Sequence, residues 1–354
     1  MIITIDAGVG DLAAASREEM EFLFTEVARA SMQGKHFVLL DRVICDWALA
    51  NLTLSGQTQA HLLFLKQDFT QRGAIRSVAR NILYVKVSTI GLQNVEQNNY
   101  EISHRTFLRG NYTDEPVLLV ENTANDGEFI TQVLNIVKRS HPARHFAFAL
   151  RHGGGSTIVD CFKEELRSQR ITVCIVDSDK FSPHNFPSAT LRALDGAANQ
   201  NSYVGGVFPT PCKEIENFIP LDLIERHRLC PTYPDFDTLK SLIQRQDTGG
   251  AAQNACWLYF DLKVGLSGTA VLAKGLHADI EAWVRQQFTV DNSRLEDTVI
   301  AGFGPNILRS FLNSNPAIND YKNFTRTSIW NAVFAPFLEN ISWFLAADRR
   351  KSAI

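Results

Sequence analysis

Along the middle of the chain, short wholly apolar runs alternate with stretches whose apolar residues recur every three or four positions. VLLVE is followed by GEFITQVLNIVKRS, RHFAFAL by TIVDCFKEELRSQ, and ITVCIVDSD by a turn-rich stretch leading to SYVGGVFP. Runs that are apolar at every position suit strands buried on both faces, and the helical-period stretches between them suit crossover helices. The pattern predicts a mostly parallel sheet flanked by helices. Beyond it, LDLIERH reads as a helix, WLYFDLK as a further strand, and the chain from about Gly265 as a largely helical tail.

The N-terminal stretch has the same mixed rhythm. MIITID reads as a strand, Ser16 to Met32 as a helix, HFVLLD as a strand, DWALANL and AHLLFLKQDF as helices, and NILYVKV as a strand. The polar, turn-rich stretch GLQNVEQNNYEISHRTFLRGNYTDEP then reads as a linker. The expected organisation is an α/β module at 1–110, a sheet-based domain at 111–264 and a helical region at 265–354. The segment SIWNAVFAPFLENISWFLAA is nearly long enough to span a membrane, but Asn331, Pro336, Glu339, Asn340 and Ser342 interrupt it. Its Val333, Phe337, Ile341, Phe344 and Leu345 recur at helical intervals, so it is expected to pack on the protein or on a second copy in a homo-oligomer.

With 354 residues, 45% hydrophobic and 21% charged, the chain has an ordinary globular composition and enough length for two domains. A net charge of -3 removes the simplest sign of a nucleic-acid binder, a large basic excess. Any phosphate-binding surface is therefore local or metal-assisted. Arg139, Arg144 and Arg151 lie near the candidate chemistry in sequence and are either contributors or solvated surface. Six cysteines are dispersed without CxxC spacing, so no zinc site is readable, and a reducing, cytoplasmic location is expected.

The predicted strands share a feature: they end on acids. VLLV delivers Glu121, ITVCIV delivers Asp177 and Asp179, WLYF delivers Asp261 with Lys263 two positions on, and TPCKEIENF after SYVGGVFP adds Glu214 and Glu216. In a parallel sheet, ligands bind beyond the carboxyl ends of the strands. Alternating residues of an extended chain face the same side, so Asp177 and Asp179 are expected to point together into one pocket while Ser178 points away. Carboxylates held together repel unless a cation joins them, and a hard ion such as Mg2+ or Mn2+ suits oxygen ligands. Taken singly, each acid has a plainer reading. A DxD at a strand end commonly forms a turn or cap, Asp126 is placed to cap the helix near Gly127, and Glu214 and Glu216 alone could be solvated loop residues.

The order of these elements resembles the Toprim fold, the catalytic domain of topoisomerases, primases and OLD-family nucleases. Glu121 in VLLVE, Gly153, Gly154 and Gly155 after FAFAL, Asp177 and Asp179 in IVDSD, and KEIENFIP carry the likeness. EIENF is similar to the corresponding element of OLD-type and defence-associated nucleases. The resemblance covers about 117–263, and Asn122 stands where many Toprim domains carry glycine. It implies a nuclease in which Glu121 is a general acid/base or metal ligand. Asp126, Asp177, Asp179, Glu216 and less strictly Glu214 would be metal ligands, and Lys263 would sit beside the scissile phosphate. Since no GxxxxGK[ST] motif occurs in the sequence, it also implies a separate P-loop ATPase as partner, as in an anti-phage system.

Other readings remain open at this stage. The same fold serves nucleotidyl transfer, and a topoisomerase would need a nucleophilic tyrosine, for which Tyr112, Tyr203, Tyr233 and Tyr321 are present. A non-catalytic interaction subunit is the third class. His152 and His184 flank the motifs without an assigned role, and Asp6, Asp41 and Asp46 raise a second, PIN-like acid site against the plainer reading of turn and cap residues.

Overall fold

A computed structural model describes residues 1–87, 91–95, 99–230, 237–240, 255–289 and 294–350. Two parallel sheets dominate it. The first contains β1 (Ile2–Ile5), β2 (Phe37–Val38), β3 (Ile82–Lys86), β4 (Gln93–Val95) and β5 (Asn99–Ser103) in the order β2-β1-β3-β5-β4, parallel except for β4. The second contains β6 (Val117–Val120), β7 (Ala149–His152), β8 (Thr172–Val176) and β9 (Gly205–Pro209) in the order β7-β6-β8-β9, wholly parallel. A short antiparallel pair, β10 (Gly265–Ser267) with β11 (Val299–Ala301), follows.

The strands of the second sheet are apolar throughout because both faces are covered. Leu118 and Val120 of β6, with Val173 and Ile175 of β8, pack into the main core beside Phe129, Ile130, Val133 and Leu134 of the helix Glu128–Val137. Val117, Leu119, Cys174 and Val176 face the other way, onto Ile158, Phe162 and Leu166 of helix Ile158–Arg167 and Leu191 and Leu194 of helix Ala189–Asn199. The first crossover thus covers one face and the next two cover the other. That switch of faces is how β7 comes to lie on one side of β6 while β8 and β9 lie on the other.

Several elements differ from the sequence expectation. The 91–116 stretch is not a plain linker: it supplies β4, β5 and helix His104–Arg109, with Ile102 and Phe107 buried. WLYFDLK is not a strand. Cys256–Tyr259 is a 3-10 turn, and Trp257, Leu258, Tyr259 and Phe260 are all buried. RHFAFAL pairs in the sheet only at its end, and strand β7 runs on through Arg151 and His152. The tail is helical as expected, and Ala335–Leu345 buries Ile341, Phe344 and Leu345. No helix among the described residues is long and apolar enough to cross a membrane.

Residues 345–348 lie across edges of both sheets. On the approach to β7, the Ala147 N–H donates to Leu345 O at 2.9 Å and the Ala347 N–H to His145 O at 3.0 Å. One residue further, the Asp348 N–H donates to His36 O beside edge strand β2, and its carboxylate accepts from the Val38 N–H at 3.4 Å and the Ser31 hydroxyl at 3.1 Å. Arg72 completes the buried Asp348 cluster.

Candidate metal centre

In the second sheet the strand order reverses between β6 and β8, which opens a crevice beyond their carboxyl ends. Glu121 follows β6 and Asp177 follows β8, so the two arrive on either side of it. They touch: the Asp177 N–H donates to Glu121 Oε1 at 3.2 Å. The glycine turn after β7 wraps the same edge, with the Gly153 N–H on Val120 O at 2.7 Å and the Gly154 N–H on Glu121 O at 3.1 Å. Gly154 and Gly155 take left-handed φ values of 70° and 58°, and a Cβ on Gly153 would lie 2.6 Å from Ile158. These glycines therefore fix the backbone of Glu121 by close packing.

The segment after β9 closes the crevice from the far side. Asp177 Oδ1 accepts the Ile215 N–H at 2.9 Å, and Asn217, fully buried, holds the base of the loop. Asn217 Oδ1 accepts the Glu214 N–H at 3.0 Å, while its amide donates to Trp257 O at 2.6 Å and Phe260 O at 2.9 Å. This grip holds the 256–260 turn against the EIENF segment. Lys263 emerges from that turn with its ammonium 3.0 Å from Glu214 Oε2 and 3.3 Å from Glu216 Oε1.

Ligand oxygens of Asp177, Glu214 and Glu216 all lie within 4.8 Å of one another. Glu214 and Glu216 are buried, and Glu216 Oε2 has no hydrogen-bond partner. Asp126 joins at the edge. Its Oδ2 accepts the Asn122 N–H at 2.9 Å, closing the turn before helix Glu128–Val137, and its charge is felt by Asp177 and Glu216. It is thus both a turn-closing residue and a member of the acid group.

The electrostatics express the crowding. Burial, then Glu216 and Glu121, push the Asp177 carboxyl well above the usual range. Burial and Glu216 raise Glu214 to about 7, and burial raises Asp126 to about 6, Glu216 and Glu121 upward as well. Burial works against the Lys263 ammonium, yet Glu216, Glu214 and Asp177 together outweigh it and raise its pKa. One lysine is embedded among five acids, which leaves excess negative charge in a poorly solvated place. Oxygen-only donors, mutual approach and an unpartnered buried carboxylate oxygen fit a hard divalent cation.

Asp179 does not continue the strand alternation. Strand β8 ends at Val176, Asp179 adopts φ 55°, and its exposed side chain stands outside the close group, although its charge still raises Glu121. Between the two aspartates, buried Ser178 turns inward, donating from its hydroxyl to Cys212 O and from its N–H to the Thr210 hydroxyl at 3.0 Å. His152 is exposed and accepts the Thr123 N–H at 3.4 Å through Nδ1, and His184 is exposed in the following loop. Arg151 pairs with Glu165, while Arg139 and Arg144 lie on the connection entering β7, at the opposite end of the sheet from the acids. Tyr112 and Tyr321 are buried, Tyr203 is half-buried, burial raises all three phenols, and Tyr233 lies outside the described residues.

Sequence reading did not single out Asn217, Ser178, Thr210 or Lys213. Asn217 sits inside EIENF, but its role depends on carbonyls some forty positions away. Lys213 is buried with its ammonium 4.0 Å from the Phe181 ring centroid and 3.9 Å from Asp261, and burial lowers its pKa. No protein-family model matches the chain, and no curated protein or solved structure matches it either.

Proposed function

We propose that the chain is a Mg2+- or Mn2+-dependent phosphodiesterase of Toprim type that hydrolyses a nucleic-acid strand. The observation that supports this reading best is the approach of Asp177, Glu214 and Glu216 to within 4.8 Å, with Lys263 alone among them as a cation. Asp177, Glu214 and Glu216 would hold the ion. Bound there, it supplies Lewis acidity toward a phosphoryl oxygen and lowers the pKa of water.

The remaining chemistry belongs to the chain. Lys263 is about one-third exposed (34%), so its ammonium reaches the crevice mouth and offsets charge that grows on a phosphodiester during hydrolysis. Glu121, half-buried and with its pKa raised by burial, is the group suited to act as general acid/base. Asp177 N–H fixes the Glu121 carboxylate, and the glycine turn fixes its backbone. A separate P-loop ATPase and a defence role accompany this reading through the Toprim resemblance, and a cytoplasmic setting through the free cysteines.

The test is cleavage of labelled DNA and RNA by purified protein with Mg2+ or Mn2+. Asp177→Asn and Glu216→Gln are expected to fall to background while circular dichroism stays unchanged. Equal cleavage by parent and variants would sink the reading.

A further inference from the structure

The loop that leaves the acid group carries an arrangement the metal centre does not need. From Asp177 it runs through Lys180, Phe181 and Phe186 to Ser188, which caps helix Ala189–Asn199. Phe181 has the ammonium of Lys213 at 4.0 Å and that of Lys274 at 4.4 Å from its ring centroid. Lys213 directly precedes the candidate ligand Glu214, so this cluster adjoins the acids. Further along, the Phe186 ring is 67% exposed. Its ring contact with the exposed His277 is T-shaped, with centroids 6.0 Å apart, so His277 is not a stacked cover for it. The local charge is mixed: Asp279 lies 3.5 Å from His277 and Asp261 lies 3.9 Å from Lys213.

We propose that Lys180, Lys274, His277 and the exposed Phe186 ring form a track for single-stranded nucleic acid, with an unpaired base stacked on Phe186 and the adjoining phosphates near the lysines. This rests on the phosphodiesterase reading for its purpose, since the track leads to the acids, but its binding is separately measurable. Three observations select the occupant. An exposed aromatic ring offers a face that any unpaired base can use, whereas bases in a duplex are already stacked. The exposed Lys274 ammonium held on Phe181 supplies local positive charge in a chain that is negative overall, Lys213 being buried beside Asp261. Lys180 and Phe186 lie on the loop that begins at the candidate ligand Asp177, and ring contacts join that loop to Lys274 and His277, so a strand lying there continues into the crevice.

Fluorescence anisotropy in EDTA, with labelled oligo-dT, oligo-rU, a duplex and an abasic oligomer of equal length, tests this without involving cleavage. The parent is expected to bind both single strands about tenfold more tightly than the abasic oligomer. Phe186→Ala should erase that difference while leaving abasic binding unchanged, a result that general misfolding would not give. Lys180→Gln with Lys274→Gln should weaken all single strands and reduce the salt dependence of binding. Unchanged oligo-dT and oligo-rU binding by Phe186→Ala, abasic binding equal to the parent single strands, or tighter duplex binding would overturn the proposal. Intact strand binding without metal-dependent cleavage would defeat the phosphodiesterase reading alone.

Discussion

The two sheets share a plan and differ in what they place at its opening. In each, the first strand is flanked by the second on one side and the third on the other, giving β2-β1-β3 in one and β7-β6-β8 in the other. Each therefore has a crevice beyond the ends of two central strands. In the first sheet it holds Asp6, Lys86 and Glu101, with the lysine 2.6 Å from one acid and 3.1 Å from the other. The aspartate hydrogen bond, opposed by modest burial and aided by Glu101, raises the Lys86 pKa. All three side chains retain substantial exposure. In the second sheet, Glu121, Asp126, Asp177, Glu214 and Glu216 surround Lys263 in a more buried place. Topology supplies an opening, but only uncompensated charge makes a place for a cation. Of the other acids of the suggested PIN-like site, Asp41 lies beside Arg76 and Asp46 on Lys66, so each has a cation partner.

The sharpest way to break this comparison is calorimetric Mn2+ titration of Asp177→Asn beside Asp6→Asn. The first should lose more than about 100-fold in affinity, beyond the usual cost of disturbing an outer partner, and the second should match the parent. Equal losses would mean that the two crevices are not different in kind.

A smaller effect is expected from Asn217→Ala, which leaves the Trp257 and Phe260 carbonyls without their donor. Urea unfolding should show a loss of about 3 kcal/mol, from buried hydrogen bonds left unmade. Metal affinity should fall with it, because the same amide holds the turn that leads to Lys263. Stability equal to the parent would remove Asn217 from the account.

The smallest effect concerns pH. Because Glu214 is raised to about 7 and Asp126 to about 6, the folded protein binds more protons than the unfolded chain between the ordinary carboxylate range and those values. Metal-free stability should therefore rise as pH falls from about 7 toward 5. Thermal melts should gain a few degrees, and saturating Mg2+ should remove the gain by favouring the charged carboxylates. Glu214→Gln should flatten the metal-free profile. A stability maximum above pH 7 without metal would contradict the crowded-acid picture.

Much of the second sheet was legible because burial on both faces leaves wholly apolar runs such as VLLV and TVCIV, and because strand ends announce themselves with acids. The gathering of Glu121, Asp177, Glu214 and Glu216 at one edge was legible because the βα rhythm implied a parallel sheet, whose carboxyl ends share a side; which strands are neighbours came only with the structure. The rest depended on contacts without a local signature. WLYF has the composition of a strand, yet Asn217 captures two of its carbonyls and bends it into a turn. Asp179 departs from alternation because the chain turns left-handed there, its N–H taken by Lys213 O at 2.9 Å. The 91–116 stretch has turn-rich composition, but β3 offers its edge to Tyr100 and Ile102, and pairing overrides local preference.

The stretch 345–348 has a consequence for synthesis. It caps β2 and braces the entry to β7, with partners more than three hundred positions upstream at Ser31 and Val38. A ribosome must therefore finish this stretch before the open margins made much earlier can be sealed, and until then they remain available to chaperones or to a neighbouring nascent chain. Stalled or clipped products lacking it should be the aggregation-prone and protease-sensitive forms of the protein, even with every acid of the crevice already made.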